Sequence, residues 1–219
     1  MKKIVLLLGV LLLLNTVFSN NAQGARKLTI FVAPEIDFAV APEDVTDFYG
    51  MGIGGALGLE YSISTKLSLV WTANYKTFSP SEEKIFDEIT GPDEYPNATN
   101  ISVEDGTIYF AVVSVVAKAK LKGEGSSFWP YVKGGVGVSV AGADETIINF
   151  TDAGSPMTEF VGEFDVTTAP SLIAAFGLEL KRGGSGSFFV EVGYEIHYLK
   201  NDEGDLNLTT VPIRFGFSF

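Results

Sequence analysis

A single histidine stands in the 219 residues, His197, and it follows Glu195 by two positions. A histidine beside an acid begins hydrolytic chemistry only when a serine or a second acid is brought to it. Ser171 and Ser139 are the serines that a strand register could carry there, and nothing in their spacing requires it. His197 also belongs to a larger charged set. Glu35, Asp37, Glu60, Glu179, Glu191 and Glu195 fall on the same strand parity as Lys76, Lys118, Lys133 and Arg214, with Lys66, Lys120 and Lys181 nearer the strand ends. Charges held together in a confined interior must be paired or wet. The chemistry on offer is therefore a plug of ion pairs and hydrogen bonds, with His197 part of it, or else a path for protons or small ions along the same groups. The chain has no Cys, so no Cys/His metal spacing exists, and no Gly-rich loop before a helix cradles phosphate. No catalytic residue and no cofactor are assigned.

The elements that must position these groups are strands. Side chains alternate between faces along a strand. Eight segments read this way: 27–40, 50–63, 66–78, 107–121, 128–141, 168–181, 188–200 and 207–219. In the seventh, Phe188, Val190, Val192, Tyr194, Ile196 and Tyr198 share one face, while Glu191, Gly193, Glu195 and His197 share the other. The first, second, third and sixth segments alternate alike, with the charged or small face opposite an aliphatic and aromatic one. The fourth is apolar on both faces from Ile108 to Val116, and only Lys118 and Lys120 mark an inside. Pro170 and Pro212 each remove a ladder hydrogen bond, so a local bulge is expected at both. Connections alternate between short Gly/Ser turns (64–65, 122–127, 182–187) and longer stretches (41–49, 79–106, 142–167, 201–206).

The ends of the chain add to this. Lys2 and Lys3 precede an apolar run from Ile4 to Leu14, and Ala22-Gln23-Gly24 supplies small residues, which predicts a signal peptide over Met1–Gly24 and one domain over Ala25–Phe219. The last strand puts Val211, Ile213, Phe215, Phe217 and Phe219 on one face, and Phe215, Phe217 and Phe219 are read as a C-terminal assembly signal. A composition of 46% hydrophobic residues with 24 Gly and no second long apolar run suits a membrane barrel.

On these features the chain resembles the small eight-stranded bacterial outer-membrane β-barrels, similar in plan to OmpX and to the OmpA transmembrane domain. The resemblance implies an all-β fold: an antiparallel up-and-down transmembrane barrel with short periplasmic turns and long extracellular loops, in the cell outer membrane of a Gram-negative envelope. It implies outer-membrane lipid and the barrel-assembly machinery as partners. It leaves the activity open, since such barrels include adhesins and structural proteins. A narrow porin-like transport barrel and a soluble, lipocalin-like ligand carrier are the alternatives. The formal net charge of −12 argues against a nucleic-acid partner. The acid excess lies in the long connections, among them Glu82, Glu83, Asp87, Asp144, Glu145, Asp152 and Glu159. Solubility, divalent-cation binding and a basic partner, helped by Phe86, Tyr95, Phe150 and Phe160, are the readings of that surface.

Overall fold

The computed structural model describes residues 28–46, 48–90, 95, 97–121, 127–161, 164–181, 186–201 and 204–219. The expected signal segment, Met1–Gly24, lies outside the described residues. In chain order the elements are β1 (Leu28–Ala41), α1 (Glu43–Thr46), β2 (Tyr49–Ser62), β3 (Leu67–Pro80), α2 (Glu82–Ile89), β4 (Thr99–Asp105), β5 (Ile108–Lys120), β6 (Phe128–Ala143), β7 (Thr146–Asp152), β8 (Ser155–Val161), β9 (Phe164–Lys181), β10 (Ser187–Asn201) and β11 (Gly204–Ser218). Eight of the strands close into an antiparallel barrel in the order β1-β11-β10-β9-β6-β5-β3-β2. These are the eight segments expected, with β9 and β11 starting earlier, at Phe164 and Gly204. Closure occurs between β1 and β11, where Ile30 and Phe219 exchange two backbone hydrogen bonds of 3.1 and 2.9 Å.

One parity of every barrel strand faces the interior and the other faces away. Ile53 and Leu57 are 64% and 62% exposed, whereas Asp37 and Lys76 are 0% exposed. In β5, which is apolar on both faces, the even positions Phe110, Val112, Ser114, Val116 and Lys118 turn inward. Two terminal lysines thus identified the inside of a strand whose hydrophobicity did not.

Neither proline makes a bulge. The register runs without a shift through Val138↔Pro170 and through Asp37↔Pro212. Pro170 lies just past His197↔Ser171, where the ladder to β10 ends, so its missing N–H disturbs little. Pro212 keeps its ladder to β1, and the ladder to β10 skips Gly193 and Tyr194, opposite Pro212 and Val211. Gly193 is what accommodates the ring: a Cβ there would lie 2.8 Å from Pro212 Cγ. The register shifts that do occur sit near the loop end, between Ala39 and Ala41, Tyr49 and Gly52, and Ala141 and Ala143.

The long connections are not plain loops. β4, β7 and β8 form a separate three-stranded sheet in the order β4-β7-β8. Helix α2 covers it. Its first turn carries Glu82 and Glu83, which complement the helix dipole, and Ile85 and Ile89 fall on one face at i, i+4. Those two isoleucines pack with Ala98, Ile148 and Phe150 into a small core. The alternation in β4 and β7 is short, and only the pairing of distant segments turns it into a sheet. Lys84, on α2, reaches back to donate hydrogen bonds to the carbonyls of Thr46 (2.5 Å) and Tyr49 (3.4 Å), tying this unit to the first connection.

The fit between Gly193 and Pro212 makes a test. Gly193→Ala forces the new methyl against a ring that cannot swing away, and overpacking of this kind costs about 1–3 kcal/mol. Urea unfolding of the folded barrel should show that loss, and Pro212→Ala in the same chain should recover most of it. A neutral Gly193→Ala would mean that the glycine is not what seats the proline.

Candidate functional site

The interior is built in layers from inward positions of neighbouring strands. At its centre Lys76, from β3, donates hydrogen bonds to Asp37 of β1, to Glu195 of β10 (2.9 Å) and to Thr210 Oγ1 of β11 (2.9 Å). Arg214, from β11, spreads its guanidinium over three acids: Nε to Glu35 at 2.5 Å, Nη1 to Glu191 at 3.2 Å and Nη2 to Glu195 at 2.5 Å. A planar, permanently charged fork suits this bridging role, which a lysine could not fill in the same way. Asn74, with its amide oriented to satisfy its neighbours, accepts from Arg214 Nη2 at 3.2 Å and donates to the Val112 carbonyl at 2.8 Å. Lys133 pairs with Glu191 at 2.6 Å, and the Tyr131 hydroxyl donates to the same carboxylate at 2.9 Å.

A second cluster lies toward the short-turn end. Lys118 pairs with Glu60 (2.7 Å) and Glu179 (2.8 Å), and Lys120 lies 3.6 and 3.3 Å from the same two carboxylates. Ser187 donates to Glu179 at 2.9 Å. Lys120 and Lys181 both rest on the Trp129 ring, 4.5 and 3.8 Å from its centroid. Lys66 is exposed in the β2–β3 turn and joins neither cluster. Between the two clusters runs an aromatic layer. Phe31 lies across from Gly58, Tyr131 from Gly177 and Phe189 from Gly216. A Cβ on any of those glycines would come within 2.1, 2.3 or 2.0 Å of the facing ring.

His197 is where the geometry departs most from the sequence reading. The β9–β10 register places His197 opposite Ser171, and Ser171 Oγ lies 3.0 Å from His197 Nδ1. Ser139 completes a chain at 3.1 Å from Ser171. The serines therefore do reach the histidine, because β6, β9 and β10 are adjacent, an order that sequence spacing does not encode. The relay stops there. His197 Nε2 has no hydrogen-bond partner among the described residues, and Glu195 Oε2 is 3.6 Å away, too far for a good bond. Glu195 is already held by Lys76 and Arg214. All three of His197, Ser171 and Ser139 are buried, and the Phe110 ring lies against the imidazole, 5.3 Å between centroids. A nucleophile needs a route for its substrate, and this one is sealed.

Above His197 the interior turns apolar. Tyr49, Phe78, Ile108, Phe110, Leu199 and Leu208 pack together under the loop end, with Val45 and Phe48 against them. At mid-barrel, between Arg214, Lys133, Glu191, Asn74 and Ser114, there is a cavity of about 10 Å³, room for one water at most.

Of the aromatics expected among the loop acids, Phe150 is buried with Tyr95 packed on it at 4.8 Å, and Phe86 is exposed. The Phe160 side chain lies outside the described residues. No group of three or more His, Asp or Glu among the described residues is placed to hold a metal ion.

No protein-family model matches the sequence, and no curated protein does. Solved structures match by shape. Neisserial surface protein A superposes with a TM-score of 0.53 at 13% identity, over 90% of this chain and 98% of that one. The outer membrane protein OprG of Pseudomonas aeruginosa gives 0.48 at 12% identity, covering 88% and 95%, and the attachment invasion locus protein Ail of Yersinia pestis 0.43 at 15%, covering 88% and 97%. The chain has the fold of the small eight-stranded outer-membrane β-barrels.

Arg214 tests the interior. Removing it leaves Glu35, Glu191 and Glu195 facing one another in a dry interior, and breaking such a pair costs about 3–5 kcal/mol. Arg214→Met should show a loss of that size in reversible unfolding. Adding Glu35→Gln should return part of it, because one stranded charge is then gone. Lys118→Met should cost less, since the second cluster lies at the wetter end. Equal effects of Arg214→Met and Lys118→Met would contradict the central position given to Arg214.

Proposed function

We propose that this chain is an integral outer-membrane barrel, without catalytic machinery, whose polar interior is a structural plug and whose loop end serves surface interaction. The observation that carries the reading is the inversion of polarity. Ile30, Val32, Ile36 and Phe38 of β1 and Val190, Val192 and Tyr194 of β10 are exposed, while the acids and bases between them are buried. An outward apolar face around a closed barrel is suited to hydrocarbon, and closure leaves no strand edge to be satisfied there. A soluble ligand carrier would need the opposite arrangement. The shape shared with neisserial surface protein A agrees with the reading.

Against a pore stand the filled layers among the described residues: two ion clusters, an aromatic layer and an apolar cap, with the mid-barrel cavity only water-sized. This is the usual state of an eight-stranded barrel, whose interior is just wide enough for side chains. Against an enzyme stands the sealing of His197 and Ser171. The short-turn end is assigned to the periplasm and the loop end to the outside, and the barrel-assembly machinery is the partner during insertion, reading Phe215, Phe217 and Phe219. Phe217 packs at a tilt against Phe188 (5.0 Å between centroids) and stacks on Phe219 (5.9 Å), and Phe219 bonds to β1, so the terminal aromatic is joined to the closing seam.

Membrane fractionation tests the reading directly. The protein should remain in the outer-membrane pellet after alkaline extraction and leave it only with detergent. Release by carbonate would overturn the membrane assignment. In lipid vesicles, Val192→Arg should cost about 2–4 kcal/mol of folding stability if Val192 lies near the bilayer midplane. A silent substitution would mean that β10 does not face lipid. Deleting Phe219 should lower the amount of heat-modifiable, folded barrel in outer membranes, and wild-type amounts would remove that residue from the assembly signal. Planar-bilayer recordings of the purified barrel should show no unitary conductance steps.

A further inference from the structure

We propose that the free edge of β8 is a docking site for a basic, extended peptide segment of another protein, taken up as a fourth strand of the loop-end sheet. The inference rests on the loop end being an interaction surface and gives that surface a site and a class of partner. β8 pairs with β7 along its whole length, from Thr146↔Val161 to Asp152↔Ser155, and among the described residues no strand pairs with its far side.

The hairpin turn fixes which groups that far side presents. Ala153 and Gly154 have φ of 47° and 84°, the pair of positive values that a two-residue type I′ turn requires. In such a hairpin the closing pair, Asp152 and Ser155, is hydrogen-bonded, and bonded pairs then alternate with non-bonded ones. Met157, Glu159 and Val161 therefore direct their backbone groups to β7. Thr158 and Phe160 direct N–H and C=O outward, and Pro156 offers only its carbonyl. A strand edge with open donors and acceptors is a template for another strand.

The opposite edge of the sheet is guarded. The β4–β7 register shifts between Thr99 and Ser102, Asn100 has φ of 54°, and α2 packs against β4. Such a bulge bends a strand and spoils it as a template. β8 has an unbroken register. Its Met157 is 40% exposed and stands across from the buried Phe150, so an apolar shelf continues to the open edge.

Charge selects the occupant. Free edges are commonly guarded by lysine, yet residues 142–167 contain Asp144, Glu145, Asp152, Glu159, Glu163 and Asp165 and no Lys, Arg or His. A second copy of the chain would bring the same acids to the same edge and be repelled. A strand with basic residues is attracted, and it gains hydrogen bonds that a merely cationic surface ligand could not make.

The test is a titration of the detergent-solubilised full-length barrel with a peptide of about ten residues alternating Lys and Val, against the isomer alternating Glu and Val. The Lys peptide should bind saturably, weaken as salt rises, and protect the Thr158 and Phe160 amides from hydrogen exchange more than those of Met157 and Glu159, which are already bonded to β7. Thr158→Pro deletes an outward donor without touching a bond to β7 and should weaken binding at least about tenfold. Thr158→Val loses the hydroxyl bond to Asn149 (2.9 Å) but keeps the amide, and should bind like the wild type. Equal binding of both peptides, protection elsewhere, or full binding by Thr158→Pro overturns the proposal. Should Thr158→Pro fail to fold, the exchange pattern of the wild-type protein decides alone. Failure of the membrane assignment would appear in fractionation, independently of this titration.

Discussion

Arg214 reaches from β11 to Glu35 on β1 and to Glu191 and Glu195 on β10, so the barrel closes on a cluster of paired charge. Much of the interior follows from that constraint. A closed eight-stranded barrel has too little room for water to solvate several ions, and each buried acid must then find its counter-charge among inward side chains. Lys76 supplies it to Asp37 and Glu195, and Lys133 to Glu191. Because the partners come from strands far apart in sequence, the cluster forms only when the cylinder is complete.

The loop end obeys a different logic. There the chain leaves the barrel and builds a small unit of its own, with Ile85, Ile89, Ile148 and Phe150 inside and acids outside. Lys84 ties this unit to the first connection, and Tyr49 extends the tie from below through a 3.3 Å contact with Thr146. The apolar cap around Phe78 and Phe110 lies beneath. An ion cluster under a hydrophobic lid is shielded from solvent on the side where the long connections would otherwise admit it.

Strand identity was legible because lipid-like and interior environments impose opposite demands on alternate residues, as Phe188 to Tyr198 show. Where the interior itself is apolar, as around Phe110 and Val112, the contrast vanishes and the pattern falls silent. The meeting of His197 with Ser171 and Ser139 depends on which strands are neighbours and in what register, quantities set by closure rather than by local sequence. The small sheet of β4, β7 and β8 was hidden for a related reason: its segments are seven residues each, and β4 reaches β7 only across two barrel strands, β5 and β6, that lie between them in sequence. The prolines misled in the other direction. A proline disturbs a strand only on the side to which its nitrogen points, and Gly193 had already made room on that side for Pro212.

The rings set against Gly58, Gly177 and Gly216 have a further effect on how the cylinder is assembled. A slide of two residues preserves inside and outside, so polarity alone cannot reject it. The rings can. Such a slide would drive Phe31 onto Ala56 or Glu60, Tyr131 onto Ala175 or Glu179, and Phe189 onto Arg214 or Ser218. Three seams, β1/β2, β6/β9 and β10/β11, thus carry a mechanical key that admits one alignment. The stagger of a barrel sets its tilt and its bore, so three aromatic pegs in three glycine notches proofread the diameter of the whole molecule.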